Sequence, residues 1–211
     1  MEPGEKEPVD VSVVQFESHD GTRLEGDLLT PKNPTGSAVV CHPHPLYGGS
    51  RQDAAVGALS RAFVGAGLRV LRFDFRGAGG SAGAHDDGGA ERGDLAAAID
   101  FVDPTDGPLT LAGYSFGADI ALSVAHDAAT GWLVVAPPLA TVPATDLVAS
   151  ADPRPVTVIA AGHDQFNPPD QLRPRTADWV NTTIHVIETA DHFFAGAHHQ
   201  IGELATKTLA G

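Results

Sequence analysis

Cysteine is almost missing: Cys41 is the only one in 211 residues. A lone thiol excludes an intramolecular disulfide and fits a reducing compartment. Cys41 ends an apolar run and reads as a small buried hydrophobe rather than a reactive group. Lysine is scarce too, with three, and 13 Lys plus Arg against 27 Asp plus Glu leave a net charge of −14. Charge of that sign repels nucleic acid and anionic membrane, so neither is expected as a partner. It fits a high-salt cytoplasm or plain solubility equally well. No apolar run approaches the ~20 residues of a membrane span. The opening MEPGEKEPVD is acidic and proline-rich, unlike a signal peptide. A cytoplasmic location is expected. Repeats, low-complexity blocks and long polar linkers are lacking, so residues 9–211 read as one domain after a flexible start at 1–8.

What is present alternates. Residues 9–16 and 23–29 carry strand patterning around the turn SHDG and predict an antiparallel hairpin. Strands are then expected at 38–41, 69–75, 109–112, 132–135, 156–160 and 183–188. Helices are expected at 53–66, 90–102, 116–129, 170–180 and 196–209. Strand–helix alternation predicts an α/β fold, a mostly parallel twisted sheet with helices on both faces. Ligands then collect at the carboxyl ends of the strands. Five loops open there: 42–50, 74–89, 113–117, 161–169 and 189–195.

One of them holds Gly113-Tyr114-Ser115-Phe116-Gly117, a Gly-x-Ser-x-Gly pattern between a strand and a helix. In that context the serine stands on a sharp turn above the sheet edge, facing a helix N-terminus. A serine cap would need no glycine on both sides, so Ser115 is read as a nucleophile. A serine needs a base, and the base an orienting carboxylate. Of ten histidines, His192 lies after the last strand and before the last helix. His19 falls in the hairpin turn, His126 on a helix, His185 inside a strand, and His198 and His199 on the closing helix. Asp164 follows a β-branched strand in VTVIAAGHDQFNPP and is the expected acid. Asp170 reads as a helix cap, and Asp191 adjoins His192 too closely to face its ring.

An oxyanion needs two backbone donors. Phe116 N–H supplies one. In His42-Pro43-His44-Pro45-Leu46 the prolines have no N–H, which leaves His44 or Leu46, with His44 favoured. Two histidines at this spacing without further ligands do not make a zinc site. Gly77-x-Gly79-x-x-Ala82 imitates a dinucleotide fingerprint. The next helix begins too late, however, and Asp86 and Asp87 would repel a phosphate. No cofactor or metal is expected. Between Val135 and Val156 there is no room for a lid domain, so the site should be open and suit short acyl groups. Tyr47, Phe166, Phe193 and Phe194 are candidate pocket residues, or packing beneath the last helix.

In order and spacing, CHPHPLYGGS, LRFDFRGAGGSAG, LAGYSFGADIA, GHDQFNPP and ADHFF resemble the small cap-less α/β-hydrolases related to dienelactone hydrolases and bacterial serine carboxylesterases. The likeness spans about residues 10–210. It implies a serine hydrolase with Ser115, Asp164 and His192 as its triad and Phe116 and His44 as oxyanion donors. Dienelactone hydrolase itself uses cysteine, so its substrate does not carry over. The expected reaction is hydrolysis of small carboxylic esters or thioesters, by a monomer or homodimer acting on a small-molecule ester. An acyltransferase or peptidase with the same triad, or a non-catalytic binding protein, are the other readings.

Overall fold

The computed structural model describes residues 8–102 and 107–210. The expected flexible start therefore lies, apart from Pro8, outside the described residues. Strand β1 (Asp10–Glu17) and β2 (Arg23–Thr30) form the hairpin, with Gly21 at φ 84° in its turn. Then follow β3 (Gly36–Cys41), α1 (Ala54–Gly65), β4 (Leu68–Asp74), α2 (Glu91–Phe101), β5 (Leu109–Tyr114) and α3 (Phe116–Leu122). The chain closes with β6 (Ala129–Val135), β7 (Val156–His163), α4 (Pro169–Arg175), β8 (Thr182–Asp191) and α5 (His198–Leu209).

The eight strands lie in the order β1-β2-β4-β3-β5-β6-β7-β8. Pairings β1/β2 and β2/β4 are antiparallel, and every other pair is parallel. This is the α/β-hydrolase architecture expected. In β3 all six residues are buried, as a strand covered on both faces requires. Its side chains alternate: Val39 and Cys41 join a core with α2, α3 and α4, while Ala38 and Val40 join one with α1 and α5. Period-two alternation thus builds two cores on one sheet. Among the described residues, no helix is long and apolar enough to cross a membrane.

Two local expectations need correction. Helix α3 ends at Leu122, so His126 is not helical. The indole N–H of Trp132 reaches back to the carbonyls of Ala121 (2.9 Å) and Val124 (3.3 Å). Arg154 takes those of His126 and Ala129. The terminal carbonyls find partners on other elements, and the chain turns early into β6. Asp170 does not cap α4: it sits in the first turn, the N-cap is Pro168, and no side chain bonds there.

Between β6 and β7 there are only short 3₁₀ turns, at Ala144–Asp146 and Val148–Ala151. Among the described residues, no lid covers the strand ends.

Candidate active site

Ser115 holds a backbone that an L-residue rarely adopts, φ 54° and ψ −120°. The flanking glycines explain how. A Cβ on Gly113 would run into the backbone of Gly117, and one on Gly117 would lie 2.5 Å from the His42 carbonyl oxygen. The turn is so tight that its two ends touch each other and the end of β3. Ser115 occupies the N-cap position of α3, yet its hydroxyl makes no capping bond. Instead Oγ lies 2.9 Å from Nε2 of His192.

His192 follows β8 and is itself buried. Its Nδ1 is 2.8 Å from Oδ2 of Asp164, just past β7. The other carboxylate oxygen of Asp164 accepts the N–H of Phe166 (2.8 Å) and of Asn167 (3.1 Å). Burial pushes this carboxyl's pKa up. The His192 hydrogen bond, the two amides and the His192 charge outweigh it and hold the group below the usual carboxylate range. An ionised Asp164 only accepts, so Nδ1 carries the proton and Nε2 faces the serine O–H as acceptor. A hydroxyl, an imidazole and a carboxylate in this chain of contacts are what converts an alcohol into a nucleophile near neutral pH. Asp191 bonds its own turn, through the Phe193 N–H (3.0 Å), and stays away from the ring.

A cleft of about 830 Å³ opens over Ser115. Pro43, His44 and Phe116 wall one part of it, Pro138, Ala140 and Thr141 another. Tyr47, Phe166 and Phe193 stand at its rim, each more than half exposed. Phe194 does not reach it: fully buried, it packs edge-on to Tyr114 in the α1–α5 core. The Leu46 N–H is bonded by Nδ1 of His44 (3.2 Å). The N–H groups of His44 and Phe116 have no hydrogen-bond partner among the described residues.

Three residues at this site escape a sequence reading. The Tyr114 hydroxyl donates to the His192 carbonyl (2.8 Å). The buried ring of His85 lies 4.6 Å from that of His44 and 5.2 Å from that of Phe116, with Nδ1 2.7 Å from Glu91. Asp119 is fully buried one turn beyond Ser115. Tyr114 and Asp119 fall inside LAGYSFGADIA, yet no pattern gives any of the three a role, because each acts on a partner distant in the chain.

The profile of the X-Pro dipeptidyl-peptidase family (S15) matches residues 20–155. The chain belongs to that family. The matched stretch carries Ser115 and ends before Asp164 and His192. An uncharacterized protein of Rickettsia prowazekii is 31% identical over 194 residues, which cover 86% of this chain and 81% of that one. An α/β serine hydrolase homologue from Coxiella burnetii superposes with a TM-score of 0.85 at 29% identity, over 94% of this chain and 97% of its own. A lidless α/β serine hydrolase from Xanthomonas campestris gives 0.81 at 26%, over 96% and 95%. This S15 member is thus a serine hydrolase of the α/β-hydrolase superfamily.

Proposed function

We propose that this hydrolase cleaves small carboxylic esters or thioesters through an acyl-enzyme on Ser115. The observation that carries the reading is the unbroken contact chain Ser115–His192–Asp164, at 2.9 and 2.8 Å, beneath an open cleft. Ser115 Oγ attacks the carbonyl carbon while Nε2 of His192 takes the hydroxyl proton. The ester C–O bond then breaks, and the imidazolium returns the proton to the departing alkoxide or thiolate. Water attacks the acyl-enzyme by the same proton path and releases the acid. Asp164 fixes the ring and stabilises its cation. The N–H groups of Phe116 and His44 receive the oxyanion, a role supported by their lack of other partners. Tyr47, Phe166 and Phe193 offer apolar surface to the substrate.

The family match favours a second reading, a peptidase using the same three side chains. One experiment separates them. The protein is labelled with a fluorophosphonate and the modified residue mapped, then assayed on nitrophenyl esters and on X-Pro nitroanilides. Modification at Ser115 with ester turnover exceeding anilide turnover supports the esterase. Faster anilide cleavage makes the peptidase reading correct, and wild-type ester activity in Ser115→Ala overturns both. A soluble monomer or homodimer in the cytoplasm, needing no cofactor, completes the proposal. Gel filtration and activity after chelator treatment test those parts.

A further inference from the structure

Where β6 ends, the backbone bends twice into the left-handed region with side chains that resist it: Ala136 at φ 43° and Leu139 at φ 52°. Each such residue costs about 1 kcal/mol or more and persists only where its surroundings impose it. Here the surroundings are three polar side chains from three other parts of the chain. The buried carboxylate of Asp119 accepts three consecutive amides, those of Leu139, Ala140 and Thr141, each at 2.9 Å. Asn167 donates to the Pro137 carbonyl (2.8 Å). Arg175 donates to the carbonyls of Pro138 (2.9 Å) and Leu139. The segment so held is also a wall of the cleft, through Pro138, Ala140 and Thr141.

The anchors belong to the same elements as the reacting groups. Asp119 lies one turn after Ser115 on α3, and its N–H bonds the Ser115 carbonyl (3.3 Å). Asn167 donates its backbone N–H to Asp164. A wall tied to both cannot recede from the serine without breaking several hydrogen bonds, two of them buried. A carboxylate in mid-helix without such partners would cost several kcal/mol, so its retention asks for a role. We propose that residues 137–141 form the acyl-size wall of the cleft and that Asp119, which touches no substrate, is the positioning residue that sets it. Where a lid would otherwise close over the substrate, a strapped loop limits the acyl chain. The inference rests on the esterase reading.

The test compares wild type with Asp119→Asn on acetyl, butyryl, hexanoyl and octanoyl nitrophenyl esters. An amide in that position sets N–H donors against N–H donors and frees part of the wall. The octanoyl-to-acetyl ratio of kcat/KM should rise about tenfold, chiefly through KM of the long esters, the scale on which pockets discriminate methylenes. Fluorophosphonate labelling should stay within about threefold of wild type, because the wall takes no part in the proton path. Should Asp119→Asn fail to fold, Arg175→Gln replaces it: Arg175 is exposed, and its loss frees the Pro138 and Leu139 carbonyls. The ratio should then rise about threefold. A folded variant whose chain-length profile matches wild type overturns the wall, provided Ser115→Ala is inactive. If Ser115→Ala is active, it is the esterase reading that fails.

Discussion

The hydroxyl of Tyr114 donates to the backbone carbonyl of His192 at 2.8 Å, across 78 positions of chain. On its other side, the His192 N–H reaches the side-chain oxygen of Gln165 (3.3 Å), next to Asp164. The segment carrying the imidazole is therefore pinned to β5, which delivers Ser115, and to the loop that delivers the acid. Burial drives the Tyr114 phenol's pKa upward, so it stays protonated and able to donate. Tyr114→Phe keeps the ring and removes this bond alone. The carbonyl it leaves unpaired should lower stability by about 1–3 kcal/mol. Loosening of the base should reduce kcat about tenfold with little change in KM. Steady-state kinetics on nitrophenyl acetate beside a urea melt check this. An unaltered kcat would mean that the clamp serves folding only.

In the proposed mechanism Asp164 orients His192 and stabilises its cation, so Asp164→Asn should do more harm than its small change in shape suggests. The amide can offer an N–H to Nδ1 and favour the wrong tautomer, leaving Nε2 protonated and unable to accept from Ser115. A loss of about 10⁴ in kcat is expected, with KM little changed. Stability follows a separate course. A carboxyl held below its ordinary 3.8 when folded adds stability above that value and loses it as pH falls through the lower folded pKa. The stability gap between wild type and Asp164→Asn should therefore be constant near neutrality and narrow in strong acid, as measured by denaturant melts along a pH series.

His42 gives a pH dependence of the same sign from a different cause, a ring that folding keeps neutral. Its ring is wholly buried: Nε2 accepts the Phe75 N–H (3.0 Å) and Nδ1 donates to the Pro43 carbonyl (2.6 Å). That pair of bonds suits only the neutral form. Burial lowers its pKa from 6.5 to about 4. Between those values the unfolded chain takes up a proton that the folded one refuses, so stability falls as pH drops from 6.5 to about 4. The loss is on the order of 3 kcal/mol over the whole window. Replacing His42 by Gln should flatten this part of the stability–pH curve while lowering stability at neutral pH. A wild-type curve level across the window would count against the neutral buried ring.

Much of this architecture was legible because it is local. The alternation of strand and helix patterns placed the sheet, and the carboxyl ends of β5, β7 and β8 are where Ser115, Asp164 and His192 lie. What the pattern left out is non-local. Helix α3 stops at Leu122 because Trp132 and Arg154, further along the chain, take up carbonyls at its end and just beyond. Asp119 looks like one more polar residue in an alanine-rich helix; the amides that need it lie about twenty residues on, in a loop with no periodicity. Phe193 and Phe194 are adjacent and identical in type, yet one faces the cleft and the other the core. The positive φ of Phe194 in the intervening turn decides that, and no hydropathy pattern records it.

The two glycines around Ser115 permit the sharpest test of the turn. Gly117 has an ordinary helical conformation, so alanine there would normally gain helix propensity, by up to about 1 kcal/mol. The added methyl would instead lie 2.5 Å from the His42 carbonyl oxygen and 2.6 Å from the Cys41 carbonyl, both backbone atoms at the end of β3. Neither can swing aside as a side-chain tip would. Relief requires α3 to move off the sheet, or the segment leading into His44 to move away from Phe116. Either shift separates the two N–H groups proposed for the oxyanion. Gly117→Ala should thus be destabilised by about 2 kcal/mol or more. Its folded fraction should also lose about 10² in kcat, the scale of one lost oxyanion donor. Gly57→Ala on α1, where the new Cβ meets only the end of the Arg61 side chain at 3.2 Å, supplies the control. It should be neutral to stabilising by up to about 1 kcal/mol and leave kcat unchanged. Equal behaviour of the two alanine variants would show that close packing of the turn against β3 does not govern the site.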